Sequence, residues 1–167
     1  GEGLGLIWLD GRGMAPSSGH DSHAASAGAM SVRFGTFDTR WTQTSDMPVD
    51  LRVCECCPTT AAVTSDGVLA VFRNRSDEEV RDIFVSRFDA GRWTAPVAVS
   101  NDGWTIPACP VNGPMLSARG RNVAVAWFTA GGGRGHSYAA FSQDAGRTWD
   151  EPIRLDDGSS LGQVDIE

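Results

Sequence analysis

Four cysteines carry the most reactive chemistry in this sequence of 167 residues. Three stand together in Val53-Cys54-Glu55-Cys56-Cys57-Pro58, and the fourth lies in Pro107-Ala108-Cys109-Pro110. Thiols at this density can pair as disulfides, which persist in oxidising compartments. Four cysteines permit three pairings. A bridge from Cys109 to one member of the triplet would tie two distant segments together. The leftover pair, as Cys56–Cys57 or Cys54–Cys56, would close a very small, strained and more reducible ring. The same residues can instead act as thiolate ligands. Cys-x-Cys-Cys plus a distant cysteine supplies soft donors suited to Cu(I) or Zn²⁺. The spacing matches no standard zinc pattern. Free buried thiols and mixed states are the third outcome, and the three stay open on sequence alone.

A second group is ionic. Arg73-Asn74-Arg75-Ser76-Asp77-Glu78-Glu79-Val80-Arg81-Asp82 packs three arginines and four acids into ten residues. Arg73 continues an apolar run, and Arg12 in Leu9-Asp10-Gly11-Arg12 holds the equivalent place after another. Arg12, Arg73 and Arg75 are therefore candidates to bind a carboxylate through the guanidinium fork. The competing reading is a loop stitched by its own Arg–carboxylate pairs. His20-x-x-His23 sits in a loop rich in Gly, Ser and Ala. Such a pair is more often solvated than metal-bound, because ligand histidines need orienting partners.

The elements that would position these groups read as strands. Leu6–Leu9, Val68–Phe72 and Val123–Phe128 are short apolar runs of the kind packed on both faces. Trp41, Trp93 and Trp149 follow them at intervals of 52 and 56 residues, which points to a repeat. The middle repeat parses as strands over 59–64, 68–72, 82–88 and 93–99. The next parses as 115–118, 122–128, 137–142 and 151–155. No helix of ordinary length is expected, and Ser76–Val80 is read as a single turn. In an up-and-down sheet the connections alternate between two ends. One end then carries 10–27, 48–58, 73–81, 101–114, 129–136 and 156–163. All four cysteines, His20, His23 and His136 map to that end, where function tends to live.

One stretch resembles a known family. Ser142-Gln143-Asp144-Ala145-Gly146-Arg147-Thr148-Trp149 reads S-x-D-x-G-x-T-W. That is similar to the Asp-box (BNR repeat) of sialidase-like β-propellers. Degenerate copies stand at Phe88-Asp89-Ala90-Gly91-Arg92-Trp93 and Phe37-Asp38-Thr39-Arg40-Trp41. The residues explain the box locally: the Asp caps backbone N–H groups, the Gly takes a positive φ and the Trp buries a ring. Ser142, Asp144, Gly146, Thr148 and Trp149 are thus structural. The resemblance implies an all-β propeller of four-stranded antiparallel blades, about three of them here, from a six-bladed parent. One partial propeller domain would fill 1–167, with blades over roughly 1–47, 58–100 and 114–156. Residues 162–167 would open the next blade, so the chain is expected to be a piece of something longer.

The resemblance also sets expectations for function. It implies an exported protein, periplasmic or secreted, that binds a glycan, a metal or a partner through its Cys- and Arg-rich end. The alternative is a glycoside hydrolase acting on an anionic sugar. Arg12, Arg73 and Arg75 would then hold the sugar, with Asp10, Asp77 and Asp82 as acid/base candidates. The family's Tyr nucleophile and Arg-Ile-Pro motif are not carried over. Tyr138 stands in a different context, and Trp104-Thr105-Ile106-Pro107 has Thr where Arg is required. Composition excludes other classes. With 14 basic and 21 acidic residues the net charge is −7, unsuited to nucleic acid or an anionic membrane. No apolar stretch reaches the roughly 20 residues of a membrane span. Uncovered blade flanks would favour self-association.

Overall fold

The computed structural model describes residues 3–14 and 28–167. His20 and His23 lie outside the described residues. The structure is all-β, with no helix among the described residues. Among the described residues, no helix is long and apolar enough to cross a membrane.

Among the described residues, twelve strands form three antiparallel sheets: β1 (Leu4–Asp10), β2 (Met30–Phe37) and β3 (Gln43–Val53); β4 (Thr60–Thr64), β5 (Gly67–Arg73), β6 (Ile83–Asp89), β7 (Arg92–Trp93) and β8 (Val97–Ala98); β9 (Met115–Arg119), β10 (Asn122–Thr129), β11 (His136–Ser142) and β12 (Ile153–Arg154). Each sheet is a meander in which successive strands are neighbours, except that β8 pairs with β6 rather than β7. β4 and β9, the first strands of the second and third sheets, lie side by side. These are blades of a β-propeller, arrayed but not closed into a ring.

Side-chain parity explains the stacking. On β5, Leu69 and Val71 pack with Val123, Val125 and Trp127 of the third blade. The alternate residues Ala70 and Phe72 pack with Val32, Phe34 and Val49 of the first. The middle blade is therefore apolar on both faces, which is why its strands lack a polar side. Among the described residues, the flanks beyond have no such cover. Leu4 and Leu6 on the first blade, and Phe141 and Ile153 on the third, are exposed.

The fourth strands are shorter than expected. Pro96 and Pro152 have no N–H to give the ladder. In the middle blade the gap between β7 and β8 is patched by Thr94, whose N–H donates to Arg87 O and whose hydroxyl accepts from Arg87 N–H. In the first blade, β3 instead runs on to Val53 through several register shifts. Residues 48–53, expected in a connection, thus belong to a strand. Residues 162–167 form no strand. Ser76–Glu79 is a turn closed by Glu79 N–H to Ser76 O.

The connections at one end are knitted together. Val53 pairs with Asn74, and Val80 pairs with Thr105. Gly113 lies so close to the Pro58 backbone that a Cβ there would overlap it. This packing sets the segment after Cys109 against the segment after Cys57.

Candidate functional site

The end of β3 delivers the cysteine triplet. Val53 is the last ladder residue, and Cys54 N–H donates to Arg73 O at the end of β5. The chain then bends through Glu55–Cys57. Cys56 is bonded to Cys109, across Cα atoms 6.2 Å apart. Cys54 and Cys57 are free, buried thiols. Their Sγ atoms are 2.8 Å apart, and Cys54 Sγ is 3.9 Å from Cys56 Sγ. Both thiols and the bridge therefore occupy one place. The outcome is the mixed state. The bridge from Cys109 to the triplet exists, and no small-ring bridge accompanies it.

The two free thiols are not equivalent. The Cys57 thiol donates to Cys54 Sγ, and Arg81 Nη1 approaches the same sulfur at 3.3 Å. The hydrogen bond from Cys57 is the larger cause that lowers the Cys54 pKa to about 6, and Arg81 adds to it. Cys57 is pushed up, first by donating to Cys54 and then by burial. One proton is thus held between the two sulfurs, with the charge on Cys54.

Around the sulfurs lies an ionic lattice. Arg81 donates to Glu55 and Glu79, each at 2.8 Å, and through Nε to Ile106 O. Arg75 grips Glu79 with both Nε and Nη2 and also pairs with Glu55. Arg75 holds Glu79 below its ordinary pKa. Burial pulls Arg81 down, but Cys54 and Glu55 more than offset this and raise it. Arg81, Glu55 and Glu79 are the site residues that sequence reasoning missed. The signal was present: Glu55 interrupts the cysteines, and Arg81 stands two residues before the buried start of β6.

The structure places the expected site residues as follows. Arg73 lies in the interior. It is 1% exposed, and its guanidinium donates to Asn112 O, Arg81 O and Phe128 O at 2.6–2.8 Å. It also lies over the Trp104 ring. Arg73 is a buried staple between two connections and β10. Arg75 is spent on two carboxylates. Arg12 shares no partner with Arg73 or Arg75; it binds Asp10 through Nε and Nη2 and Asp46 through Nη1. The three arginines share no hydrogen-bond partner.

The acid/base candidates fare similarly. Asp10 is held well below the ordinary carboxylate range, chiefly by Arg12 and then by Trp8, so it does not carry a proton near neutrality. Asp82 is buried and accepts from Gly103 N–H and Trp104 N–H at 3.0 and 3.1 Å. Asp77 has an 83% exposed side chain paired with Arg52. His136, at the start of β11, bonds Asp156 at 3.1 Å rather than joining the sulfurs. Tyr138 stacks against Trp127.

At the opposite end, Asp144 Oδ1 accepts from the N–H groups of Arg147 and Thr148, each at 2.9 Å, while Oδ2 accepts from the Thr148 hydroxyl. Thr148 is the main cause that lowers the Asp144 pKa. Ser142 Oγ caps Gly146 N–H, and Gly146 has φ 76°. Trp149 packs against the core between the second and third blades. Asp38 accepts from Arg40 and Thr42 N–H.

No family model matches the chain, and no curated protein matches it. Among solved structures, the chain is similar to the K499G mutant of NanB sialidase from Streptococcus pneumoniae, at 12% identity and a TM-score of 0.48. That likeness covers 84% of this chain and 21% of the sialidase, so the chain spans about a fifth of that protein. It is too distant to assign a role to any residue; the propeller architecture rests on the strands and their packing, and the site on its own geometry.

Proposed function

We propose that this protein is an extracytoplasmic, non-catalytic propeller module whose knitted end takes up a thiophilic ion, Cu(I) or Zn²⁺, once the Cys56–Cys109 bridge is reduced. One observation carries this: the Sγ atoms of Cys54, Cys56 and Cys109 all lie within 4.8 Å of one another. Zinc–sulfur bonds of about 2.3 Å in a tetrahedron separate the sulfurs by about 3.8 Å. The 3.9 Å between Cys54 and Cys56 fits that edge. Cys57 is too near Cys54 to join without a shift of about 1 Å by the same geometry. Arg81, fixed by Glu55 and Glu79, supplies the outer hydrogen bond that holds the Cys54 sulfur. The bridge supports an oxidising location.

Glycoside hydrolysis has less support, because the candidate carboxylates are ion-paired, capped or isolated. Recognition of an anionic glycan by Arg12, Arg73 and Arg75 has less support for the same reason.

The test is ion binding by anaerobically reduced protein, read as competition with a chromophoric chelator. A single bound ion per chain is expected, with affinity falling about tenfold or more in Cys54→Ser, Cys56→Ser and Cys109→Ser. Failure of reduced wild type to compete for either ion would end the proposal. Turnover of a fluorogenic sialoside would restore the hydrolase.

A further inference from the structure

We infer that the four cysteines share one mobile disulfide, which passes between Cys56–Cys109 and Cys54–Cys57 by internal thiol–disulfide exchange. The inference concerns the metal-free protein and does not depend on ion binding.

The geometry supplies each requirement. Cys54-Glu55-Cys56-Cys57 places Cys54 and Cys57 at the C-x-x-C spacing of redox-active dithiols. The bend after β3 brings their sulfurs to 2.8 Å. A disulfide already stands beside them, with Cys56 Sγ 3.9 Å from Cys54 Sγ. Arg81 Nη1, itself gripped by Glu55 and Glu79, is 3.3 Å from Cys54 Sγ and favours its thiolate. Cys109 is exposed, so a thiolate released there is met by water.

The steps balance without an added oxidant or reductant. Cys54 thiolate attacks Cys56 Sγ. The Cys54–Cys56 bond forms, the Cys56–Cys109 bond breaks, and Cys109 leaves as thiolate. Cys57 gives up its proton to Cys109 through solvent and attacks Cys54 Sγ. The Cys54–Cys57 bond forms and Cys56 leaves as thiolate. One disulfide, two sulfhydryl groups and one proton between them are present before and after. The first isomer ties the segment around Cys109 to the end of β3; the second releases it and presents Cys109 as a surface thiol.

The experiment uses the full 167-residue chain, purified in air and treated with chelator. It is incubated at neutral pH, quenched in acid, alkylated after denaturation and mapped by mass spectrometry without reduction. Two populations are expected: Cys109 bridged with Cys54 and Cys57 alkylated, and Cys56 and Cys109 alkylated with Cys54 bridged to Cys57. In Cys54→Ala, which lacks the attacking sulfur, alkylation of Cys109 should be lost. Three results would overturn the inference: Cys109 never alkylated in wild type, no alkylated cysteine at all because two bridges are present, or Cys109 alkylated in Cys54→Ala as much as in wild type.

Discussion

A thiol beside a thiol is a different acid from a thiol alone. Cys54 keeps its charge because Cys57 donates to it and Arg81 stands close; Cys57 keeps its proton for the reciprocal reason. Absorbance of the thiolate in protein with the bridge intact should therefore rise with a midpoint near pH 6. Cys57→Ala should move that midpoint up further than Arg81→Gln does, since the sulfur donor is the larger cause. The sign for stability follows. From about pH 6 to the ordinary thiol value the folded chain holds fewer protons than the unfolded one, so stability rises with pH. Above the ordinary value the folded chain retains the Cys57 proton, and the pair's contribution falls again. Denaturant midpoints measured from pH 5.5 to 10 should pass through a maximum that Cys54→Ala removes. The cysteines and their shared end were legible in the sequence. Their pairing was not, because it depends on the bend after Val53 and on Arg81, whose partner sulfur lies 27 residues away.

Turns that look alike in sequence carry unequal loads. Asp144 accepts from two backbone N–H groups and from the hydroxyls of Ser142 and Thr148. Asp38 accepts from two backbone N–H groups. At Asp89 the hairpin is closed by Ala90 and Gly91, both at positive φ, a two-residue turn that needs no side-chain cap. Urea unfolding should show Asp144→Ala costing about 1–2 kcal/mol, and Asp89→Ala within about 0.5 kcal/mol of wild type. The repeat and its strands could be read from the apolar runs and tryptophans. The truncated fourth strands could have been read too, from Pro96 and Pro152, had the missing N–H been counted. The extra length of β3 could not, because its register shifts are set by pairing with β2.

At the scale of the molecule, the bridge closes a span of 53 residues. Chain-entropy estimates give about 4 kcal/mol for such a loop, and each kcal/mol is worth roughly 2–4 °C in a chain of this size. Mild reduction should lower the Tm by roughly 10 °C, and Cys109→Ser should match it. Arg73 holds the same end by hydrogen bonds and by its place over the Trp104 ring. Arg73→Leu strands the Asn112, Arg81 and Phe128 carbonyls, and thermal unfolding should show a loss of about 3–5 kcal/mol. The middle blade is covered on both faces, and among the described residues the flanks outside it are not. We expect the chain to self-associate through Leu4 and Leu6 on one side and Phe141 and Ile153 on the other. Light scattering across a concentration series checks this, and Leu6→Lys together with Phe141→Lys should shift the protein toward monomer.

The short hairpins at the far end offer a practical handle. A Cβ at Gly91 would meet no atom within 4 Å, and the turn follows the end of β6 opposite to the one that meets the cysteines. An epitope or fluorophore grafted between Ala90 and Gly91 should report on the molecule, or tether it to a surface, while leaving the thiol chemistry undisturbed.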